Sequence, residues 1–250
     1  MAIKITLLVV ALVAVALILT QFVGNSKTTV ATDTTVTTAQ PTTSVSPVSS
    51  VPKTPVPAVY GVGACPAADG SSPVTKTFTQ APKQCIDLKK KYTAKLDTSE
   101  GEIDIALNVR DTPVTANNFV ALALYHYYDG TVIFRTDTAL DIIQGGGMTA
   151  GDQLGYTIPD EGANWQYTTG DIAMANTGRP NTGGAEWFIA TGPKVAVLNT
   201  QGSYTKFGTI SVGLDVAQKI IGLNKEIAGS NLGGAPSRTV TIKTVTIVVS

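Results

Sequence analysis

The chain contains little charge, one histidine and two cysteines, and each of these low counts excludes a class of function. Charged residues make up 14% of the 250 positions, and the basic and acidic residues balance at 18 each. The chain therefore has no excess of basic residues with which to hold nucleic acid, and we expect a neutral or locally polar partner. Two thiols and one imidazole, His126, are too few ligands for a structural zinc site. We expect neither a metal nor another cofactor.

The longest hydrophobic run lies near the first residue. An almost unbroken apolar segment extends from Ile5 to Val23, and Lys4 precedes it. About 20 such residues are enough to span a bilayer as a helix. No convincing small-residue cleavage pattern follows Val23, so a transmembrane anchor is favoured over a cleaved signal peptide for residues 1–24. The cationic flank predicts a single-pass cell-membrane protein whose remainder is extracytoplasmic, or a secreted protein if the segment is cleaved.

Two segments separate this anchor from the rest of the chain. Residues 25–59 are rich in Thr, Ser, Val and Pro and show neither a helical nor a strand period, which predicts a disordered, semi-extended linker. Residues 60–91 contain both cysteines, Cys65 and Cys85. Outside the cytosol such a pair usually forms a disulfide. Closing a loop of this size would stabilise the folded protein by about 3 kcal/mol.

From Tyr92 onward the hydrophobic pattern indicates a mainly β domain. Two alternating strands form an opening hairpin, and an apolar helical stripe follows Pro113, with Asp111 or Thr112 as its N-cap. Further short strands are predicted at residues 132–135, 141–144, 171–176, 186–190, 206–210 and 239–249. A second helix fits residues 213–223. About eight antiparallel strands with two helices indicate a closed β-barrel rather than a nucleotide-binding parallel sheet.

These elements, in this order, resemble the cyclophilin-type peptidyl-prolyl cis-trans isomerases. The segments that carry the resemblance are GEIDIAL, TPVTANNFVALALYHYYDG, IFRTDTALDIIQGGG, GDIAMANTGRPNTGGAEWFIAT and YTKFGTISVGLDVAQKI. It covers residues 92–250 and implies a closed eight-stranded antiparallel β-barrel capped by two α-helices, with a substrate groove on the outer face. The extension at residues 60–91 is similar to that of membrane-anchored actinobacterial members.

The implied activity is rotation about X-Pro bonds of proline-containing polypeptides, which is slow because amide resonance opposes it. A site need only stabilise the twisted amide, whose prolyl nitrogen has regained a lone pair. The resemblance assigns this task to Arg135, whose guanidinium stays charged and can donate to that nitrogen. It assigns to Gln144 the orientation of Arg135 and a contact with the peptide carbonyl. The alternative for Arg135 is a surface arginine paired with Asp137 or Asp141.

The resemblance also implies an apolar pocket for the proline ring and a main-chain contact for the substrate. Asn176 would bind the substrate through its backbone, with Ala175 beside it, although Asn176 also fits an ordinary turn. The matching pocket and groove positions are Ile142, Phe188, Leu198, Tyr204 and Leu140. The apolar ones are equally compatible with a barrel core.

Some positions depart from the family pattern. Phe134 replaces a histidine before the arginine, and Glu186 replaces a glutamine. A one-residue insertion leaves Leu140 or Asp141 where the family has a pocket phenylalanine. Because an aspartate facing the pocket could neutralise Arg135, we expect Leu140 to face the pocket and Asp141 to point outward.

Three functions are compatible with these residues. A membrane-tethered prolyl isomerase that assists the folding of extracytoplasmic proteins ranks first, because prolyl exchange can limit folding. A catalytically weak or inactive peptide-binding or scaffold domain ranks second, since the pattern departs around Arg135 and at Glu186. A structural cell-surface module, with its groove filled by Asp141 or Phe134, ranks third. We expect a monomer.

Overall fold

The computed structural model describes residues 58–152 and 154–250. The predicted anchor at residues 1–24 and the linker up to residue 57 lie outside these ranges. Within the described ranges, no helix is long and apolar enough to cross a membrane.

An antiparallel sheet forms the body of the described unit. Its strands are β1 (Tyr92–Thr98), β2 (Gly101–Leu107), β3 (Val132–Ile133), β4 (Arg135–Asp137), β5 (Ile142–Gly145), β6 (Asp171–Met174), β7 (Trp187–Ala190), β8 (Lys206–Val212), β9 (Asn224–Glu226), β10 (Gly234–Pro236) and β11 (Val240–Val249). They are adjacent in the order β3-β11-β1-β2-β8-β6-β7-β5-β4-β10-β9. One residue separates β3 from β4 in the chain, yet β3 pairs with β11 and β4 pairs with β5. The sheet therefore curls back on itself.

Three helices accompany the sheet. They are α1 (Pro113–Leu124), a 3-10 helix (Pro193–Thr200) and α2 (Leu214–Ile221). The mainly β, antiparallel class agrees with the sequence prediction, but the predicted counts were too low: the described residues form eleven strands and three helices. The 3-10 helix was missed because such short helices lack the apolar period of an α-helix. The hairpin of β9 and β10 was missed because its strands have three residues each.

Strands β5 and β7 bury side chains on both of their faces. Ile143 and Ile189 belong to the large core cluster, whereas their neighbours Ile142 and Phe188 belong to a second cluster. This division follows from the period of two along a strand, which sends successive side chains to opposite faces. The buried members of the second cluster are Ile142, Tyr167, Ala173, Phe188, Ala190, Val195 and Leu198.

Residues 58–91, here called the N-terminal arm, pack against the core cluster. Ile86 is buried in that cluster, and Phe78 is one of the partly buried arm residues in contact with it. Cys65 and Cys85 form a disulfide, as predicted, with their Cα atoms 5.4 Å apart. Asn117 of α1 accepts a hydrogen bond from the Cys85 amide at 2.6 Å, so α1 holds the arm beside the disulfide.

The N-terminus of α1 is capped differently from the prediction. Thr112 occupies the N-cap position without a side-chain cap, because its hydroxyl donates to the Asn108 carbonyl at 2.8 Å. The Glu161 carboxylate accepts from the amides of Val114 at 2.9 Å and Thr115 at 2.7 Å. Burial raises the pKa of Glu161 above its ordinary value, while these hydrogen bonds act in the opposite direction. Thr112 thus occupies the predicted N-cap position, but the capping hydrogen bonds go to Glu161 in a distant loop and not to Asp111 or Thr112.

Candidate active site

The predicted pocket residues lie together at the second cluster. Ile142, Phe188 and Leu198 are buried members, and Leu140 and Tyr204 pack against them while remaining partly exposed. The ring of Tyr204 is nearly perpendicular to that of Phe188, with the ring centroids 5.3 Å apart. The cluster thus has a buried apolar floor and a partly exposed rim.

Tyr167 is a member of this cluster that the sequence reasoning missed. Its hydroxyl donates to the Tyr204 carbonyl and accepts from the Tyr204 amide, each at 2.8 Å. These two hydrogen bonds fix the backbone that carries the rim tyrosine. Tyr167 and the nearby Trp165 lie in a short polar stretch with no helical or strand period, so this role could not be predicted.

Ala175 and Asn176 continue from the end of β6 toward solvent. Ala175 packs against the second cluster, and its amide donates to the Glu186 carbonyl at 2.9 Å. The Asn176 side-chain oxygen accepts from the Gly178 amide at 3.0 Å. Within the described ranges, the main-chain N–H and C=O of Asn176 have no hydrogen-bond partner. They are free to pair with an extended peptide, as the predicted role of Asn176 requires.

The strand register places the predicted catalytic residues in one row with the pocket. Arg135 of β4 is opposite Gln144 of β5, which is opposite Phe188 of β7. Directly opposed residues on antiparallel strands present their side chains on the same face. The guanidinium, the amide and the pocket ring therefore share one face of the sheet.

Three hydrogen bonds hold the Arg135 guanidinium. Nη1 donates to Gln144 Oε1 at 2.9 Å, Nη2 to Asp137 Oδ2 at 2.7 Å, and Nε to the Leu232 carbonyl at 2.6 Å. A guanidinium has five N–H donors. One N–H on each terminal nitrogen therefore has no partner within the described ranges.

These contacts bear on both interpretations of Arg135. The predicted bond to Gln144 is present, and so is the pairing with Asp137 that the alternative required. The Arg135 side chain is only 20% exposed, however, so it is not an ordinary surface arginine. An ion pair formed through one N–H leaves the guanidinium charged and able to donate elsewhere.

Comparison with known proteins gives the family of this chain. A family model described as cyclophilin type peptidyl-prolyl cis-trans isomerase/CLD matches residues 93–247. The chain belongs to the cyclophilin-type peptidyl-prolyl cis-trans isomerase family.

Curated relatives support the assignment, and a solved structure shows a similar fold. The chain is 32% identical over 170 residues to peptidyl-prolyl cis-trans isomerase cyp18 of Streptomyces antibioticus, covering 62% of this chain and 98% of that protein. It is 33% identical over 167 residues to probable peptidyl-prolyl cis-trans isomerase B of Mycobacterium tuberculosis strain H37Rv, covering 59% of this chain and 52% of that protein. A cyclophilin type isomerase structure from Cryptosporidium parvum, 24% identical, superposes with a TM-score of 0.54 over 63% of this chain and 98% of that one. This last comparison shows the cyclophilin fold.

Glu186 extends the hydrogen-bond network around Arg135. Gln144 Nε2 donates to Glu186 Oε2 at 2.9 Å, and the Gly151 amide donates to Glu186 Oε1 at 2.5 Å. Burial raises the pKa of Glu186, and the nearby charge of Asp152 adds to that effect. By holding the Gln144 amide nitrogen, Glu186 leaves the Gln144 oxygen directed to Arg135.

The Leu232 carbonyl is a contact that sequence reasoning did not find. It lies in the loop between β9 and β10, 97 residues from Arg135 in the chain. The next residue, Gly233, has a φ of +79°, and a Cβ there would lie 2.8 Å from the Thr136 carbonyl oxygen. A glycine therefore allows the loop to lie against β4. The glycine-rich sequence GSNLGGAP predicts a turn at this place but not its contact.

Two departures from the family pattern lie away from the second cluster. Asp141 Oδ2 accepts from the Lys194 amide at 3.0 Å, and Lys194 Nζ lies 3.3 Å from Asp141 Oδ1. Asp141 thus faces the start of the 3-10 helix, while Leu140 packs against the cluster, as expected. Phe134 lines a different cavity of about 350 Å³, together with Pro236. Neither Asp141 nor Phe134 fills the groove. The hypothesis of a purely structural module, which requires one of them to do so, is therefore not supported.

Proposed function

We propose that this isomerase accelerates cis-trans exchange of X-Pro bonds in extracytoplasmic proteins, with Arg135 as the catalytic residue and the second cluster as the prolyl pocket. The observation that carries this proposal is the shared face of β4, β5 and β7. It combines a guanidinium with available N–H donors and a buried apolar cluster with a partly exposed rim.

The proposed mechanism requires no covalent step. The proline ring enters the second cluster at the rim formed by Leu140 and Tyr204, while the Asn176 backbone pairs with the substrate main chain. As the amide twists, its nitrogen becomes pyramidal and regains a lone pair, which an N–H of Arg135 stabilises by donation. A planar amide nitrogen offers no such acceptor, so the interaction favours the transition state over both ground states.

The proposed substrate class is a polypeptide with an accessible X-Pro bond. The Cryptosporidium parvum isomerase has also been solved in the presence of the dipeptide Ala-Pro. We extend that ligand class to this chain because its own apolar cluster is accompanied by a free main-chain pair at Asn176.

The proposed location outside the cytoplasm rests on two features. The chain has an apolar run from Ile5 to Val23, and its described part contains a disulfide between Cys65 and Cys85. Disulfides persist mainly in oxidising compartments. There an isomerase would accelerate folding steps that prolyl exchange limits.

The catalytic role is tested by NMR exchange spectroscopy on a short X-Pro peptide with catalytic amounts of protein. Arg135→Ala should lower kcat/KM by about a hundredfold or more, as does removal of other preorganised donors. Arg110→Ala is the matched control, because Arg110 is an exposed arginine outside the groove. Equal exchange rates for wild type and Arg135→Ala would reject the role of Arg135, and no exchange with wild type would reject the activity itself.

A further inference from the structure

Asp137 contacts both the catalytic cation and the turn that forms the pocket rim. Its Oδ2 accepts from Arg135 Nη2 at 2.7 Å. Its Oδ1 accepts from the amides of Ala139 at 3.0 Å and Leu140 at 3.1 Å. The residue is only 5% exposed, so this carboxylate is removed from bulk water and its charge depends on these partners.

The Asp137 contact completes a three-point support of the guanidinium. Nε is held by the Leu232 carbonyl, Nη1 by Gln144, and Nη2 by Asp137. A planar group held at three nitrogens cannot rotate about its axis or tilt without breaking one of these bonds. The loss of side-chain freedom, which is large for an unrestrained arginine, therefore occurs on folding and not when substrate binds.

The other oxygen of Asp137 determines where Leu140 lies. An aspartate carboxylate that accepts hydrogen bonds from the amides two and three residues later stabilises a turn. Here that turn delivers Leu140 to the edge of the second cluster. One carboxylate thus sets the spacing between the cation and the pocket rim.

We propose that Asp137 is a positioning residue of the isomerase, which aligns Arg135 and Leu140 on the same prolyl unit. The inference rests on the proposed role of Arg135. If Asp137 positions Arg135, removing its carboxylate should lower the isomerisation rate. If Asp137 only neutralised Arg135, removing the carboxylate would free the cation and increase the rate.

Two substitutions distinguish the role of Asp137 Oδ2, which binds Arg135, from that of Oδ1, which binds the turn. Asp137→Asn can keep the oxygen that accepts from Ala139 and Leu140 but places an NH₂ donor against Arg135. It should lower kcat about tenfold and leave KM nearly unchanged, because orientation of the cation is lost while the rim turn remains. Asp137→Ala removes both functions, so it should lower kcat similarly and also raise KM about fivefold or more, as the rim moves.

Asp141→Asn is the matched control. It removes one negative charge from the same turn, but this carboxylate faces Lys194 and not Arg135. Asparagine also tolerates the positive φ of 51° at this position. Both kcat and KM should stay at wild-type values.

The exchange assay on wild type, Arg135→Ala and the three aspartate variants gives distinct outcomes. An inactive wild type would reject the proposed function, whatever the Asp137 variants do. With an active wild type, an Asp137→Asn variant as fast as or faster than wild type would overturn the positioning role. So would a fall in its thermal midpoint with kcat and KM both unchanged, because that result indicates a structural role alone. If Asp137→Ala does not fold, the comparison of Asp137→Asn with Asp141→Asn still decides the question.

Discussion

The core cluster and the second cluster are built partly from the same strands, but they differ in what covers them. The core cluster includes buried side chains of α1 and the N-terminal arm, such as Phe119 and Ile86, which cover the sheet on this face. The second cluster is bordered by partly exposed side chains, among them Leu140, Trp165 and Tyr204. One sheet therefore supplies a core on one face and a proposed binding pocket on the other.

Because of this difference, truncating neighbouring side chains of the two clusters should have different energetic effects. Removing a side chain from a covered cluster leaves a cavity that the structure cannot fill. Removing one from a cluster with an exposed rim leaves a space that water or a ligand can enter. Substitutions in the core cluster should thus change stability alone, whereas those in the second cluster should lower stability less and also weaken substrate binding.

The largest expected effect comes from Ile143→Ala. Ile143 is fully buried in the core cluster, so its truncation should lower the free energy of unfolding by about 2–5 kcal/mol. The activity of the remaining folded protein should keep its KM, because the side chain lies on the face opposite the groove. Urea unfolding and the exchange assay measure the two quantities.

Ile142→Ala provides the matched comparison on the same strand. Ile142 is also buried, but it belongs to the second cluster. Its truncation should lower the free energy of unfolding by about 2 kcal/mol, at the low end of that range, and raise KM several-fold because the proline ring loses a contact. If the two alanine variants had the same KM, the division of β5 into a core face and a pocket face would be incorrect.

The two clusters also show which parts of the molecule sequence can predict. The resemblance predicts Ile142, Phe188 and Leu198 as pocket residues from their positions in the family pattern, and all three lie in the second cluster. Ile142 and Phe188 lie on strands, where position also determines the face. The alternation of apolar and polar residues along a strand is a local pattern, and it is preserved when one apolar residue replaces another.

The polar supports could not be predicted in this way. The Leu232 carbonyl that binds Arg135, and the Glu161 carboxylate that caps α1, come from loops distant in sequence. Any polar group can pair with any complementary one, so local sequence does not specify the partner. The sequence suggests Asp137 as a partner of Arg135, but the bonds that Asp137 accepts from the Ala139 and Leu140 amides depend on a loop conformation that has no periodic signal.

Another prediction concerns the N-terminal arm, which packs against the core cluster. Replacing Cys65 and Cys85 together by serine removes the crosslink that closes the arm, whose two cysteines are 20 residues apart. The free energy of unfolding should fall by about 3 kcal/mol, because the unfolded chain regains loop entropy. Urea unfolding checks this value, and wild type in reducing agent should behave in the same way. Since the second cluster is not covered by the arm, a matching loss of kcat/KM in the folded variant would contradict the comparison.

The smallest expected effect comes from His126, which also holds the arm. Nδ1 lies 2.9 Å from Asp129 Oδ2, and Nε2 lies 2.9 Å from the Gly70 carbonyl of the arm. Both partners are acceptors, so only a doubly protonated ring can donate to both. The hydrogen bonds to Gly70 and Asp129 raise the pKa of His126 above its ordinary value of 6.5, while burial and the charge of Lys76 act against them.

The raised pKa of His126 determines how its contribution to stability changes with pH. The contribution of His126 is fully present below pH 6.5 and is lost as the pH rises through the folded-state pKa. Because the ring is partly exposed, the thermal midpoint should fall by at most about 2 °C between roughly pH 6 and 8. Asparagine tolerates the positive φ of 55° at position 126, so His126→Asn should fold and should abolish this fall in the thermal midpoint. The chain has one histidine, so a wild-type slope in this range that persists in His126→Asn would show that the arm is not held by the imidazolium.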